Sequence, residues 1–394
     1  MAQGVVVAGA GQAGFQVATS LRTEGFQGSI TLIGDEPELP YNRPPLSKGF
    51  LTGKEGEDDL PFRPASYFEQ HRIDMRMGAR VTALRRTEHE VVLASGEAIA
   101  YDFLVLATGA RVRSITREPI GGLLYLRTSE DARRIKALMA GADSMIAIGA
   151  GFIGLEAAAA ASKVGKRVTV VAVEDRPMGR VVSPLISEHF RLLHERHGVR
   201  LMLGDAVERV EAGVRVTLKS GVVLEAPLVV AGIGVIPNVE LAEASGLAIG
   251  NGILVDQYLR TSDEAIFSIG DCASVEGHGR LESIQAAVDQ ARCVAATIVG
   301  KLRAYSAVPW FWTEQFESKL QIAGIPSGCA HFVRRGDSVY GFRRDGTLGA
   351  VESINKPVEH IQARKLLETK VPVTAEQAAD LGFDWKGLLP RRVS

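Results

Sequence analysis

Cysteine is scarce in this sequence: 394 residues hold three, Cys272, Cys293 and Cys329, odd in number and widely spaced. Such a set builds neither a disulfide framework nor a zinc site, and it points to a reducing cytoplasm. Charge of one sign is missing too. Forty-five basic residues face 46 acidic ones, a formal net charge of -1, so no global field draws the chain to nucleic acid or to a membrane surface. No run approaches the ~20 apolar residues of a membrane span. The alanines after Glu156 come nearest, and Lys163 ends them. The first strand-like stretch begins at Val5, leaving no room ahead of it for a cleavable leader. The eight histidines show no metal-ligand spacing, so no metal is expected.

What is present is length enough for two or three domains, at 46% hydrophobic composition, and one Gly-rich phrase written twice. Residues 5–14 read "VVVAGAGQAG" and residues 145–154 read "MIAIGAGFIG". In the first, an apolar strand over 5–8 runs into Gly9, Gly11 and Gly14, and a helix pattern follows through Phe15, Val17, Ala18 and Leu21. In that order Gly9 permits the tight turn, Gly11 lets the backbone approach a pyrophosphate, and Gly14 lets the helix lie close to the strand. The next strand, "SITLIGDE", ends in Asp35 and Glu36, where an acid accepts ribose hydroxyls. The second phrase repeats this with Gly149, Gly151 and Gly154 and the strand "RVTVVAV". There Ala172 stands at the expected strand end, and the acid, Glu174, comes two residues late. Two such units imply two dinucleotides.

Further apolar strands close on small-residue turns at "YDFLVLATGA" (101–110) and "APLVVAGIGVIPN" (226–238). "AIFSIGDCA" (265–273) ends at Gly270 and Asp271, with Asp271 placed to accept from a ribityl hydroxyl. The helix pattern after Glu282 aims its positive N-terminal end at whatever precedes it, which suits the N1 and C2 carbonyl region of a reduced flavin.

Taken in order, "GAGQAG", "LPYNRPPLSK", "LATGA", "YLRTSEDA", "IGAGFIGLE", "AGIGVIPN", "SIGDCA" and "VPWFW" resemble the two-dinucleotide-binding-domain flavoproteins. More closely they resemble the FAD-dependent ferredoxin reductases of bacterial oxygenase systems, of the putidaredoxin reductase kind. The resemblance implies an α/β fold with two Rossmann-like domains and a C-terminal α+β domain. It places FAD on residues 1–110 and 231–304, NADH on 111–230, and a covering domain over 305–394. It also implies that Ala13, Asp35, Lys48, Val81, Arg127, Asp271 and Ile284 contact FAD, with Arg43 a neighbour in the same turn as Lys48. The implied activity is that of a ferredoxin–NAD(+) reductase, a monomer or weak dimer whose acceptor is an acidic [2Fe-2S] ferredoxin serving a cytochrome P450 or a ring-hydroxylating oxygenase. Two rival readings keep the same fold: a rubredoxin reductase, and a redox switch of the apoptosis-inducing-factor kind.

Disulfide-reductase relatives carry a redox cysteine pair soon after the first unit, and this chain has no cysteine before Cys272. The flavin is then the only internal redox centre. Lys48 and Glu156 are the ionisable residues expected nearest it, Lys48 after a Pro-stiffened turn and Glu156 in the first turn of the second unit's helix. They form either a buried pair that satisfies both charges or one that sets the charge beside flavin N5 and seats the nicotinamide. Trp312, beside Trp310, resembles the family aromatic that approaches the isoalloxazine, as an electron path or as plain core. Arg292, Lys356, Arg364 and Lys365 are the cations expected to face an acidic partner.

Overall fold

The computed structural model describes residues 4–388. The chain divides into two compact units. One takes the residues up to Asn42 together with Glu57–Arg111 and Val235–Ala307; the other takes Arg43–Gly56, Val112–Gly234 and the residues from Val308 on.

The first unit is built on a five-stranded parallel sheet ordered Ile266–Ser268, Phe103–Leu106, Gly4–Ala8, Ser29–Ile33, Ile73–Arg76. Its central strand is buried throughout from Val5 to Ala8, the continuous apolar run expected where both faces of a sheet are covered. The helices Gln12–Thr23 and Ile284–Ile298 pack on one face, with Val17, Ala18, Leu21, Ala291 and Val294 in one core with Val5 and Val7. Each fully buried Val or Leu side chain there contributes about 1.5–3 kcal/mol. On the other face Val6, Leu104 and Leu106 pack with Val91 and Leu93 of the antiparallel ladder Val81–Arg85, Glu90–Leu93, Ala98–Ala100.

The second unit repeats the parallel sheet as Arg200–Leu203, Arg167–Ala172, Ser144–Ile148, Leu228–Ala231, Leu123–Tyr125. Its helix Phe152–Lys163 buries five consecutive alanines, Ala157 to Ala161, whose small side chains allow backbone-close packing. The same unit carries an antiparallel sheet ordered Trp310–Gln315, Ser318–Gly324, Leu348–Ile354, Ser338–Phe342, His331–Arg335. The helix Pro357–Thr369 lies against it, burying Ala363 and Leu366 with Tyr340 and Val351. This is the α/β architecture with an appended α+β segment that the sequence implies. Among the described residues no helix is long and apolar enough to cross a membrane, and no cluster of three or more His, Cys, Asp or Glu is placed to hold a metal ion.

Candidate functional site

In the first unit Gly9 follows the central strand at φ 118°, and its amide donates to the Ile33 carbonyl (2.8 Å). A Cβ there would strike the Ala107 carbonyl oxygen, and a Cβ on Gly14 would strike that of Gly9, so strand, turn and helix close only with glycine at both. Gly11 differs: nothing lies within 4 Å of where its Cβ would be. It is also the N-cap of Gln12–Thr23 and offers no side chain to the first amides. The helices Ser129–Gly141, Pro184–Arg196 and Ile284–Ile298 have side-chain caps from Thr128, Ser183 and Ser283, while Pro357–Thr369 has none. An open approach over uncapped helix amides fits a pyrophosphate. Beyond the next strand Asp35 is exposed, and the Glu36 carboxylate accepts from Tyr41 Oη (2.5 Å). Ala13 meets the turn that carries Asp271, since a Cβ at Gly270 would sit 3.1 Å from its own. That turn is tied to the helix headed by Ile284, where the buried Gln290 Oε1 accepts from the Gly270 amide (2.7 Å). Val81 opens the ladder strand Val81–Arg85, partly buried and opposite Leu93.

The second unit rebuilds this cradle bond for bond. The Gly149 amide donates to Val171 O (2.7 Å), as Gly9 does to Ile33. Gly149 and Gly154 again exclude a Cβ by collision with carbonyl oxygens, while Gly151 is open and leaves its helix uncapped. The matched bonds also correct the sequence count at the ribose acid. Gly78 donates to Glu36 O (3.0 Å) and Ala79 to Gly34 O (2.8 Å); likewise Gly204 donates to Glu174 O (2.9 Å) and Asp205 to Ala172 O (3.1 Å). Glu174 therefore holds the position of Glu36 and is not late. The strand Arg167–Ala172 is simply one residue longer than Ser29–Ile33. The Glu174 carboxylate lies 3.3 Å from Arg180 Nε.

Also in the second unit, Glu156 is 3% exposed in the Ala-rich helix. Helix counting puts it in the second turn of Phe152–Lys163 rather than the first. Its Oε2 accepts from Lys48 Nζ (2.7 Å) and Ser47 Oγ (2.5 Å), and its Oε1 from Thr313 Oγ1 (2.6 Å). Lys48 donates as well to Pro44 O (3.2 Å), held by the Pro44–Ser47 turn. A buried charge requires such pairing. Arg43 Nη1 donates to Arg127 O (2.6 Å), and the Arg127 amide to Asp131 Oδ2 (3.1 Å), which joins those two residues as well.

Trp312 lies in the strand Trp310–Gln315, partly buried, with its ring centroid 5.4 Å from that of Trp310. Strand alternation turns Thr313 and Gln315 to the opposite face, where both are fully buried. Of the cations expected to face a partner, Arg292 is exposed 3.7 Å from Asp289, and Lys356 is exposed 3.4 Å from Asp337. Arg364 is not a free surface charge: it lies over the Trp310 ring, 5.2 Å from the centroid. Lys365 is half-buried. Sequence reading passed over Ser47, Gln290, Thr313, Gln315 and His194. Thr313 and Gln315 fall in a polar run, Thr313 to Gln315, that closes "WFWTEQ" without singling them out, and nothing local marks His194.

Residues 3–291 match the family model described as pyridine nucleotide-disulphide oxidoreductase, and residues 310–389 match the reductase C-terminal model. The rhodocoxin reductase of Rhodococcus erythropolis is 49% identical, covering 98% of this chain and 94% of its own. The crystal structure of the ferredoxin reductase for the CYP199A2 system from Rhodopseudomonas palustris superposes with a TM-score of 0.95 at 44% identity, over 98% of this chain and 100% of that one. The reductase in the covalent putidaredoxin reductase–putidaredoxin complex superposes at 0.93 with 36% identity, over 98% of each chain.

Proposed function

Because the chain belongs to the pyridine nucleotide-disulphide oxidoreductase family, as a flavoprotein of the ferredoxin reductase kind that uses FAD and a nicotinamide dinucleotide, we propose that it oxidises NADH and passes single electrons to a [2Fe-2S] ferredoxin of an oxygenase system. The observation that carries this reading is the pair of bond-matched glycine cradles in one chain, joined to no thiol partner. Cys272, next to Asp271, has its Sγ on the carbonyls of Leu106 (3.6 Å) and Ile269 (3.3 Å) and is 0% exposed.

When bound, FAD supplies an acceptor that takes a hydride and is drained one electron at a time. The protein's part is binding, orientation and charge. Gly9, Gly11, Ala13 and Gly14 take the FAD pyrophosphate, with Asp35 and Glu36 on the ribose and Asp271, Ile284 and Val81 along the rest of the cofactor. Arg43 and Arg127 belong to the same set, and Trp312 is assigned to the flavin ring. Gly149, Gly151 and Gly154 hold NADH, with Glu174 accepting from its ribose hydroxyls. Lys48 and Glu156 set the charge where the nicotinamide is seated. The domain assignment is the one stated above, with FAD on 1–110 and 231–304, NADH on 111–230 and the C-terminal domain on 305–394. Three unpaired thiols favour the cytoplasm, and a monomer or weak dimer is the form proposed.

An acidic ferredoxin needs a local basic face on a chain of net charge -1. Each rim pair is worth only about 0.2–1 kcal/mol, so charge removal acts on encounter rate and is screened by salt. Converting Arg292 and Lys365 together to Glu is expected to raise the KM for ferredoxin severalfold and flatten its salt dependence. Reduction of ferricyanide, which needs no docking face, stays within about twofold. Ferredoxin turnover insensitive to both salt and this substitution contradicts the assignment. A reductase that turns over rubredoxin faster than any [2Fe-2S] protein, or a long-lived reduced complex with slow reoxidation, would instead favour the rival readings.

A further inference from the structure

The polar contacts of Glu156 do not stop at Thr313. Gln315 Nε2 lies 3.0 Å from Thr313 Oγ1, and Gln315 Oε1 lies 2.8 Å from His194 Nε2. Thr313, Gln315 and His194 are each 0% exposed. Two come from one face of the strand Trp310–Gln315, and the third from the helix Pro184–Arg196. The direction of this chain is fixed from its charged end. A carboxylate only accepts, so the Thr313 hydroxyl gives its proton to Glu156 Oε1. The Thr313 oxygen can then accept, and the Gln315 amide N–H donates to it. That leaves Gln315 Oε1 facing the imidazole, which must donate from Nε2–H. His194 is thereby a neutral imidazole with a bare Nδ1, and Nδ1 has no hydrogen-bond partner. A proton there would bury a second N–H without an acceptor. The surroundings agree: the Phe316 ring meets the imidazole edge-on at 5.1 Å, and burial, with His197 adding to it, pushes His194 down to about 4 despite the bond to Gln315.

We propose that Thr313, Gln315 and His194 are positioning residues, a one-directional buried chain that locks the Glu156 carboxylate in the orientation it presents to Ser47 and Lys48. This rests on the reading of Glu156 as part of the nicotinamide seat. Glu156 has three rotatable bonds, and Ser47 and Lys48 both act on Oε2; Thr313 supplies the donor that holds Oε1. Break the chain at its far end and Gln315 Oε1 loses its donor. The amide can then turn over, the Thr313 hydroxyl follows it, and Oε1 is released. A change at His194, three links away, thus reaches Glu156 with no contact to any cofactor. Because misplacement of a reacting group costs rate more than affinity, the effect falls on hydride delivery rather than on nucleotide binding.

The test compares stopped-flow flavin reduction by NADH, NAD+ affinity, FAD content and melting temperature in Thr313→Val, Thr313→Ser, His194→Leu and His194→Gln. Thr313→Val and His194→Leu are expected to slow flavin reduction about tenfold, with FAD content and NAD+ affinity within about twofold. Thr313→Ser, which keeps the hydroxyl, and His194→Gln, which offers an amide N–H at the same reach, restore the rate. Should His194→Leu not fold, the Thr313 pair decides alone. An independent readout needs no turnover: in histidine ¹⁵N spectra of the protein, His194 should stay the neutral Nε2–H tautomer between about pH 5 and 8. A Nδ1–H tautomer, or Thr313→Val reducing its flavin at the parent rate, overturns the proposal. Glu156→Gln separates the two levels. If Glu156→Gln slows reduction while Thr313→Val does not, the positioning chain fails and the nicotinamide seat stands; if Glu156→Gln also leaves the rate unchanged, the seat itself was misassigned.

Discussion

Burial pushes the Cys293 thiol up and the Cys329 thiol up to about 11, and Cys272 is sealed in the core among Val6, Leu104 and Leu106. Neither Cys293 nor Cys329 is a thiolate near neutral pH, a thiol is a poor nucleophile, and Cys272 is out of reach of solvent. Replacing all three by Ala is therefore expected to leave NADH oxidation within about twofold, with stability lowered by roughly 1–2 kcal/mol through the small cavity at Cys272. Loss of NADH oxidation in a folded variant with full FAD content would show a thiol at work. At this scale the sequence was legible where chemistry is rare. A lone Lys after two prolines and a lone Glu just ahead of a run of alanines stand out, and the structure joins Lys48 to Glu156. It was illegible where the partner is a common residue brought from far away. Ser47, Thr313 and His194 are ordinary until tertiary packing sets them in line.

Among the elements, the two strand–turn–helix units were readable because glycine spacing and the apolar run before it state a backbone geometry directly. The acid after the second strand was not, because strand length is fixed by how far the neighbouring strand Arg200–Leu203 pairs with it. Register moves Glu174 into the place of Glu36. Asp175 adds negative charge in sequence, while Arg180 is engaged by Glu174. A 2′-phosphate would therefore meet a carboxylate before a free cation. Glu174→Ala should release Arg180 and lower the ratio of kcat/KM for NADH over NADPH by about tenfold, roughly 1.4 kcal/mol. Steady-state kinetics with both nucleotides checks this, and an unchanged ratio places the discriminating contact elsewhere. Ala172, 3% exposed, is no site for an added acid, whereas Val173 at 66% is.

Over the whole molecule, buried ionisable groups make stability depend on pH in opposite senses. His194 sits below its ordinary 6.5, at about 4, so between those values the unfolded chain takes a proton that the folded chain refuses, and acidification costs stability. Glu352 runs the other way. Burial raises it from 4.5 to about 7, against the bond from the Ser183 amide (2.9 Å) and the Arg176 charge. Its contribution is complete below 4.5 and is lost as pH rises through about 7. Glu352→Gln keeps an acceptor for Ser183 and removes the ionisation, so its stability relative to the parent should rise between about pH 4.5 and pH 8, by at most on the order of 3 kcal/mol. Chemical denaturation at the two pH values measures it, and a parallel response in both proteins refutes it. The interleaving of the two units bears on how the protein is born. The second parallel sheet is complete once residue 231 has left the ribosome, but the first still lacks its edge strand Ile266–Ser268. Until then Phe103–Leu106 presents an open edge, an invitation to mispairing. The parallel sheet begun first on the nascent chain is thus closed only after the one begun second.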